Sequence, residues 1–128
     1  MSLQICVIDD DQINNYITSK MLLKYNPDSH VKCFSNATSA LDYINNLRVT
    51  GQPFPDFLFL DIAMPTLDGW QFLDGLDHFN IDPSRSMKIY MLSTSLKIDE
   101  KVRGLTHSRV SGFYDKPLKA ENIIKLFR

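Results

Sequence analysis

The stretch FLFLD at residues 57–61 places four consecutive large apolar side chains directly before a carboxylate. A strand with one face in solvent alternates apolar and polar residues, so an unbroken apolar run predicts a strand that is covered on both faces. Such strands are typical of parallel sheets between two layers of helices. We therefore expect an α/β fold in which Asp61 follows a buried strand over residues 56–60.

The same alternation of strand and helix patterns extends over the whole chain. Strands are predicted over residues 3–8, 30–34, 56–60, 88–92 and 111–114, and helices over residues 12–25, 36–51, 69–79, 99–107 and 119–128. Right-handed crossovers then favour an open, doubly wound sheet of five parallel strands flanked by five helices. Residues 1–128 are expected to form one domain, whose ligands bind at the carboxyl ends of the strands.

Apolar periodicity predicts which residues face the core. It selects Ile13, Ile17 and Met21 in the first helix, and Ile123, Ile124 and Phe127 in the last. Cys6 and Cys33 lie in two short strand patterns, where cysteine is usually a small buried hydrophobic residue. They do not form a disulfide framework, and whether they lie near each other stays open.

Composition excludes several classes of function. The chain has 128 residues, of which 44% are hydrophobic and 23% charged, and its formal charge is −1. This balance is typical of a globular domain and argues against direct nucleic-acid binding. Its apolar runs are far shorter than the roughly 20 residues of a membrane span, and acidic residues near the start argue against a signal peptide. We expect a cytoplasmic domain.

Carboxylates follow two of the predicted strands. Asp9, Asp10 and Asp11 follow the first strand, and Asp61 follows the third. Because the carboxyl ends of parallel strands meet at one edge, these charges repel each other unless a cation neutralises them. Oxygen ligands without histidine or cysteine favour a hard divalent ion, and Mg²⁺ is the expected one. For Asp11 alone we favour a different role, that of N-cap of the first helix.

Hydroxyl and ammonium groups follow the other strands of this edge. The fourth strand leads into Ser93-Thr94-Ser95, and the fifth leads into Asp115-Lys116-Pro117. Carboxylates for a metal, a carboxylate acceptor, a hydroxyl and a lysine are the groups that phosphoryl transfer requires. Each motif alone is weak, but their joint occurrence predicts a phosphoryl-transfer site.

These motifs resemble the receiver domain of two-component response regulators along essentially the whole chain. The acidic pair after the first strand, Asp61 after the third, the loop MPTLDG at residues 64–69, Ser93 and Lys116-Pro117 all match the family's pattern. The resemblance implies a flavodoxin-like strand order, 2-1-3-4-5. It also implies a Lys116-Pro117 peptide bond that is commonly cis.

The resemblance also assigns roles to individual residues. Asp61 is the expected phosphoacceptor, and Ser93 rather than Thr94 is expected to bind the phosphoryl group together with Lys116. The expected Mg²⁺ ligands are Asp9, Asp10, Asp61 and the backbone carbonyl of Ala63. Phe113 is the expected switch aromatic, with Tyr114 on the opposite face of the strand, and Asn14 resembles a polar residue common near the site.

The same resemblance implies a regulatory phosphoacceptor that assists its own Mg²⁺-dependent phosphorylation and dephosphorylation, and is not an enzyme acting on other substrates. The expected partners are a sensor histidine kinase or histidine phosphotransfer protein and a downstream protein target. The readout face is expected on the fourth helix, fifth strand and fifth helix. The chain is a free-standing regulator or an excised domain, and either a monomer or a phosphorylation-dependent dimer.

Three alternatives stay open on the residues alone. A Mg²⁺-dependent phosphatase would use Asp61 as nucleophile, but it usually has a second carboxylate at the position of Ala63. A flavodoxin-like cofactor binder would have phosphate-binding donors after the first strand, where this chain is acidic. A degenerate receiver would act only as a docking module.

Overall fold

The computed structural model describes residues 2–94 and 98–127 and has the predicted α/β architecture. Five parallel strands form one sheet in the order β2-β1-β3-β4-β5, as expected. The strands are β1 (Gln4–Ile8), β2 (His30–Phe34), β3 (Phe57–Asp61), β4 (Lys88–Ser93) and β5 (Val110–Asp115). The helices are α1 (Gln12–Tyr25), α2 (Ala37–Val49), α3 (Gly69–His78), α4 (Ile98–Leu105) and α5 (Ala120–Leu126).

Alternating side chains of the buried strands divide the core into two layers. In β3, Leu58 and Leu60 pack with α2 and α3, whereas Phe57 and Phe59 pack with α1 and α5. All five residues of β3 are buried, which confirms the interpretation of the FLFLD stretch. Apolar burial on both faces makes this strand the centre of the fold.

Helix starts follow the capping residues in the sequence. Asp11 accepts hydrogen bonds from the backbone amides of Ile13 and Asn14, at 3.0 and 3.2 Å, and is the N-cap of α1 as predicted. Asn36 caps α2 through the amide of Ser39 at 2.8 Å. The ends of predicted and observed elements otherwise differ by one or two residues, which is the usual spread where helices and strands fray.

The prediction for the buried face of α1 was wrong for two of its three residues. Ile13 is 74% exposed and Ile17 is 44% exposed, whereas Met21 packs against the core as expected. Asn15, Thr18 and Leu22 are buried. Asn15 faces inward because its amide donates to the backbone carbonyls at the ends of β1 and β2. For Ile13 and Ile17, apolar periodicity alone therefore selected the solvent face.

Two further burial predictions were wrong. Ile124 is 43% exposed, although Ile123 is buried and Phe127 packs against the core. Cys33 is exposed because β2 is an edge strand, whereas Cys6 is buried, and burial raises the pKa of Cys6 to about 12. Val7, not Cys6, is in register with Cys33, so the two thiols lie on opposite faces and both cysteines are free.

Among the described residues, no helix has the length and apolar character that crossing a membrane would require.

A buried guanidinium ties the α3–β4 connection to the start of β5. Arg109 pairs with Asp77 at 2.7 Å and donates to the carbonyl oxygens of Ile81 at 2.7 Å and Asp82 at 3.3 Å. Arg109 is buried, so water does not replace these bonds when the side chain is removed.

Replacing Arg109 with methionine should lower the free energy of unfolding by about 2 to 4 kcal/mol, because two backbone carbonyls lose a charged donor. Arg85 is the matched control, since its exposed guanidinium lies 3.7 Å from the same Asp77 carboxylate. Arg85→Met should cost less than about 1 kcal/mol. Urea unfolding of both variants measures the difference, and equal losses would contradict this role of Arg109.

Candidate functional site

The strand order brings the predicted site residues to one edge of the sheet. β1, β3, β4 and β5 are consecutive neighbours, so the residues that follow them meet at their carboxyl ends. Carboxylate oxygens of Asp9, Asp10 and Asp61 all lie within 4.8 Å of one another. Asp9 and Asp61 are buried, whereas Asp10 is exposed. The opening of this cluster to solvent is therefore on the side of Asp10.

Asp9 is held by three donors. Its carboxylate accepts hydrogen bonds from the backbone amide of Asp11 at 2.9 Å and from Nδ2 of Asn14 at 2.6 Å. The Nζ of Lys116 lies 2.7 Å from the same Oδ2 that Asn14 contacts. These contacts fix the orientation of a fully buried carboxylate, and they place Asn14 in direct contact with the site.

Lys116 joins β5 to the carboxylates of β1 and β3. Its Nζ lies 3.2 Å from Oδ1 of Asp61 as well as 2.7 Å from Asp9. Burial alone lowers the pKa of Lys116, but its contacts with Asp9 and Asp61 outweigh that effect and raise the pKa. The ammonium group therefore stays charged. The Lys116-Pro117 peptide bond is cis, as the resemblance implied.

Asp61 is less acidic than an ordinary aspartate. Burial, and after it the negative charge of Asp9, raise the pKa of Asp61, and Lys116 opposes them, so that the pKa is about 6. One ammonium group therefore does not neutralise the cluster. A bound divalent cation would relieve the remaining repulsion between the carboxylates.

The donor set suits Mg²⁺. Three carboxylates without a histidine or cysteine form a hard, all-oxygen site, and the exposed position of Asp10 leaves room for water ligands. Burial and the repulsion by Asp9, which raise the pKa of Asp61, are a second property of the site that a cation fits. Asp9, Asp10 and Asp61 could together hold such an ion.

The loop after β3 is packed closely against the edge that carries the acidic cluster. The amide of Gly69 donates to the carbonyl oxygen of Ile62 at 2.8 Å, and a Cβ added to Gly69 would lie 2.7 Å from the carbonyl oxygen of Asp61. A side chain at this position would displace the loop, so glycine is required here. Ala63 lies in this loop and is exposed.

β4 and β5 place the remaining predicted residues. Ser93 is half-buried at the end of β4, and its carbonyl oxygen accepts a hydrogen bond from the amide of Lys116 at 2.9 Å. Phe113 packs on the α3 side of the sheet, whereas Tyr114 contacts Tyr90 on the other side, as strand alternation predicted. Ser95 lies outside the described residues.

Asn15 is a site residue that the sequence analysis missed. It is 5% exposed, and its Nδ2 donates to the carbonyl oxygens of Asp9 at 2.8 Å and Phe34 at 3.2 Å. Asn15 therefore fixes the backbone that carries the acidic pair. The available signal was a helical spacing of Asn15, Thr18 and Leu22, which an apolar-only pattern does not detect.

Asp61→Asn should stabilise the metal-free protein at neutral pH by roughly 1 to 3 kcal/mol, because it removes a charge that is unfavourable through its burial and through repulsion by Asp9. The pKa of Asp61 is raised from 3.8 to about 6, so folding favours its protonated form. The stability that protonation supplies is complete below about pH 4 and is lost as pH rises through about 6. The gain from Asp61→Asn should therefore be full above pH 6 and absent below pH 4.

Urea unfolding in EDTA across this pH range measures the effect. Asp74→Asn is the control, because Asp74 is exposed on α3 and should change the unfolding free energy by less than about 0.5 kcal/mol. An Asp61→Asn gain that does not depend on pH would contradict the electrostatic explanation.

Comparisons with known proteins agree with this geometry. The family model described as the response regulator receiver domain matches residues 5–128. A two-component response regulator from Cytophaga hutchinsonii has the same fold, with a TM-score of 0.89, 22% identity and coverage of 99% of this chain and 96% of that one. The chemotaxis protein CheY4 of Vibrio cholerae is similar with a TM-score of 0.75, 20% identity and coverage of 99% and 97%.

Curated relatives are matched over part of their length. Stress response regulator protein 1 of Meyerozyma guilliermondii is 38% identical over 63 residues, which are 49% of this chain and 27% of that protein. A protein-glutamate methylesterase/protein-glutamine glutaminase of Shewanella oneidensis is 34% identical over 76 residues, which are 59% of this chain and 20% of that protein. The matched region thus spans about a quarter or less of these two relatives. With a family model that covers nearly all its residues, the chain belongs to the response regulator receiver domain family of two-component systems.

Proposed function

We propose that Asp61 is the phosphoacceptor of a two-component phosphorelay and receives its phosphoryl group from a histidine kinase or a histidine phosphotransfer protein. The observation that supports this most directly is the cluster itself. A buried Asp61 carboxylate lies within 4.8 Å of oxygens of Asp9 and Asp10, and 3.2 Å from the Nζ of Lys116. The domain acts as a regulatory switch and assists its own phosphorylation and dephosphorylation.

In the proposed step, an Asp61 carboxylate oxygen attacks the phosphorus of a phosphohistidine. An O–P bond forms, the P–N bond breaks, and the electron pair of that bond goes to the imidazole nitrogen of the donor. The attacking oxygen must be ionised. Because the pKa of Asp61 is about 6, most molecules carry this nucleophile at neutral pH.

Mg²⁺ would be held by Asp9, Asp10, Asp61 and the backbone carbonyl of Ala63. Bound there, it supplies positive charge that offsets the carboxylates and the incoming phosphoryl oxygens. Asn14, Asn15 and the amide of Asp11 keep Asp9 and its backbone in place, as the hydrogen bonds described above require. Lys116 would turn from Asp9 and Asp61 toward the phosphoryl group.

The phosphoryl group adds roughly 1.5 to 2 negative charges at pH 7. Charge-assisted hydrogen bonds to Lys116 and Ser93, at about 1.5 to 3 kcal/mol each, supply roughly 3 to 6 kcal/mol before ordering costs. Moving a two-state equilibrium from 1:99 to 99:1 requires about 5.5 kcal/mol, so the contacts are of the right order but leave no surplus, and we expect partial activation. The proposed bistable elements are the loop that carries Ser93 and the ring of Phe113, with a downstream protein binding at α4, β5 and α5.

Incubation of the protein with acetyl phosphate and Mg²⁺ should add about 80 Da, because one phosphoryl group forms an acyl phosphate on Asp61. Intact-mass spectrometry measures the adduct. It should depend on Mg²⁺ and be absent from Asp61→Asn, whereas the exposed control variant Asp74→Asn should be phosphorylated like the wild type.

An adduct that persists in Asp61→Asn would place the acceptor elsewhere. An absence of adduct in the wild type, with Mg²⁺ binding demonstrated, would favour the docking-module alternative.

The outer face of α1 is a suitable contact surface for the protein that donates the phosphoryl group. Ile13, Tyr16 and Ile17 are 74%, 63% and 44% exposed, and they lie on the helix that begins directly after the acidic cluster. A donor protein must bring its phosphohistidine to Asp61, so the donor must also contact the helices and loops that surround Asp61. An apolar helix face beside the opening at Asp10 meets this requirement.

Ile13→Asp should reduce transfer from a phosphorylated histidine phosphotransfer protein by about tenfold, because it puts a charge into an apolar contact. Phosphorylation by acetyl phosphate should not change, since this small donor needs no protein surface. Val49→Asp is the matched control, because Val49 is 65% exposed at the far end of α2. Equal transfer rates for the two variants, measured with a donor that phosphorylates the wild type, would refute this surface.

A further inference from the structure

We propose that Arg103 is a positioning residue that restrains α4 by stacking on Trp70. The guanidinium carbon of Arg103 lies 4.6 Å from the centre of the Trp70 ring. Trp70 belongs to α3 and is 5% exposed, so its ring is a fixed surface and not a mobile one. A guanidinium over an indole face within about 6 Å is an attractive cation–π contact.

The ring of Trp70 is in turn fixed relative to the proposed phosphoacceptor. Trp70 follows Gly69, whose backbone packs so closely against the carbonyl oxygen of Asp61 that a Cβ would clash with it. The amide of Gly69 is also bonded to the carbonyl oxygen of Ile62 at 2.8 Å. A movement of α4 relative to the end of β3 therefore displaces the backbone of Arg103 from the ring on which its side chain stacks.

The described side chains of α4 are mostly exposed. Among residues 99–105, Gly104 is the one that is buried, and it packs against the ring of Phe113. Val102 is 56% exposed and Leu105 is 79% exposed. Of the described residues, Arg103 thus contacts a ring of α3 and its neighbour Gly104 contacts a ring of β5. Loss of the Arg103 contact should make local opening of this part of the helix easier.

The functional consequence rests on the proposed function. If phosphorylation of Asp61 moves α4, the stack stabilises the resting position and opposes the change. By linkage, a variant without the stack should bind a phosphoryl mimic more tightly. Its affinity should rise by the factor with which the stack favours the resting position of α4 over the moved position. A cation–π contact at an exposed guanidinium corresponds to about a two- to fivefold factor in an equilibrium constant.

The restraint itself can be tested in the unphosphorylated full chain. Arg103→Ala should speed hydrogen exchange of the α4 amides by about two- to fivefold. Arg103→Lys should lie between this variant and the wild type. Trp70 is the single tryptophan of the chain, so its emission should shift to longer wavelength and acrylamide should quench it more strongly.

Lys101→Ala is the matched control, because it removes the same charge from the same helix on the side of Phe113 and Tyr114. Alanine favours helix more than arginine does, so intrinsic helix propensity would slow hydrogen exchange in Arg103→Ala, whereas loss of the stack should speed it. Unchanged exchange and quenching in Arg103→Ala, or equal changes in Lys101→Ala, would overturn the restraint.

Titration with beryllofluoride in the presence of Mg²⁺ tests the coupling. The apparent Kd should fall by about two- to fivefold in Arg103→Ala and stay at the wild-type value in Lys101→Ala. An equal or weaker affinity in Arg103→Ala would overturn the coupling. A wild type that binds Mg²⁺ but no beryllofluoride would overturn the proposed function and the coupling together, and the exchange experiment would then decide the restraint on its own.

Discussion

The ion pair of Lys116 with both Asp9 and Asp61 is the interaction on which the functional edge depends. Its Nζ lies 2.7 Å from one carboxylate and 3.2 Å from the other, in a position from which water is largely excluded. One cation cannot neutralise three converging carboxylates, and burial together with the charge of Asp9 raises the pKa of Asp61 to about 6. Burial and the residual charge explain why the site suits a divalent cation, and the position of Lys116 suits the proposed transfer of a phosphoryl group.

The core holds these charges in place. β3 is buried along its whole length, and its side chains anchor both helical layers, so the position of Asp61 is set by the packing of the strand before it. Asn15 fixes the backbone of Asp9, and Gly69 allows the loop after β3 to approach Asp61 closely. Converging like charges are unfavourable, and rigid apolar strands supply the stability that offsets this repulsion.

Rigidity is not uniform across the fold. The carboxyl ends of β1 and β3 are held by buried side chains and several hydrogen bonds, whereas the described side chains of α4 are mostly exposed. The proposed function needs both properties. The proposed acceptor must stay in place for chemistry, and the proposed readout surface must be able to move at a small energetic cost.

The strand and loop motifs determined much of this protein by themselves. Short unbroken apolar runs that alternate with helical patterns favour buried parallel strands, and parallel strands bring their carboxyl ends to one edge, so the grouping of Asp9, Asp10 and Asp61 was predictable. What tertiary structure decided was burial on the helices and at the sheet edge. Ile13 and Ile17 are exposed, Asn15 is buried, and Cys33 on the edge strand is accessible. Local periodicity shows where the apolar residues of a helix lie. The face that is buried also depends on which polar groups of the neighbouring elements need a hydrogen-bond partner from that helix. Those groups come from distant parts of the chain.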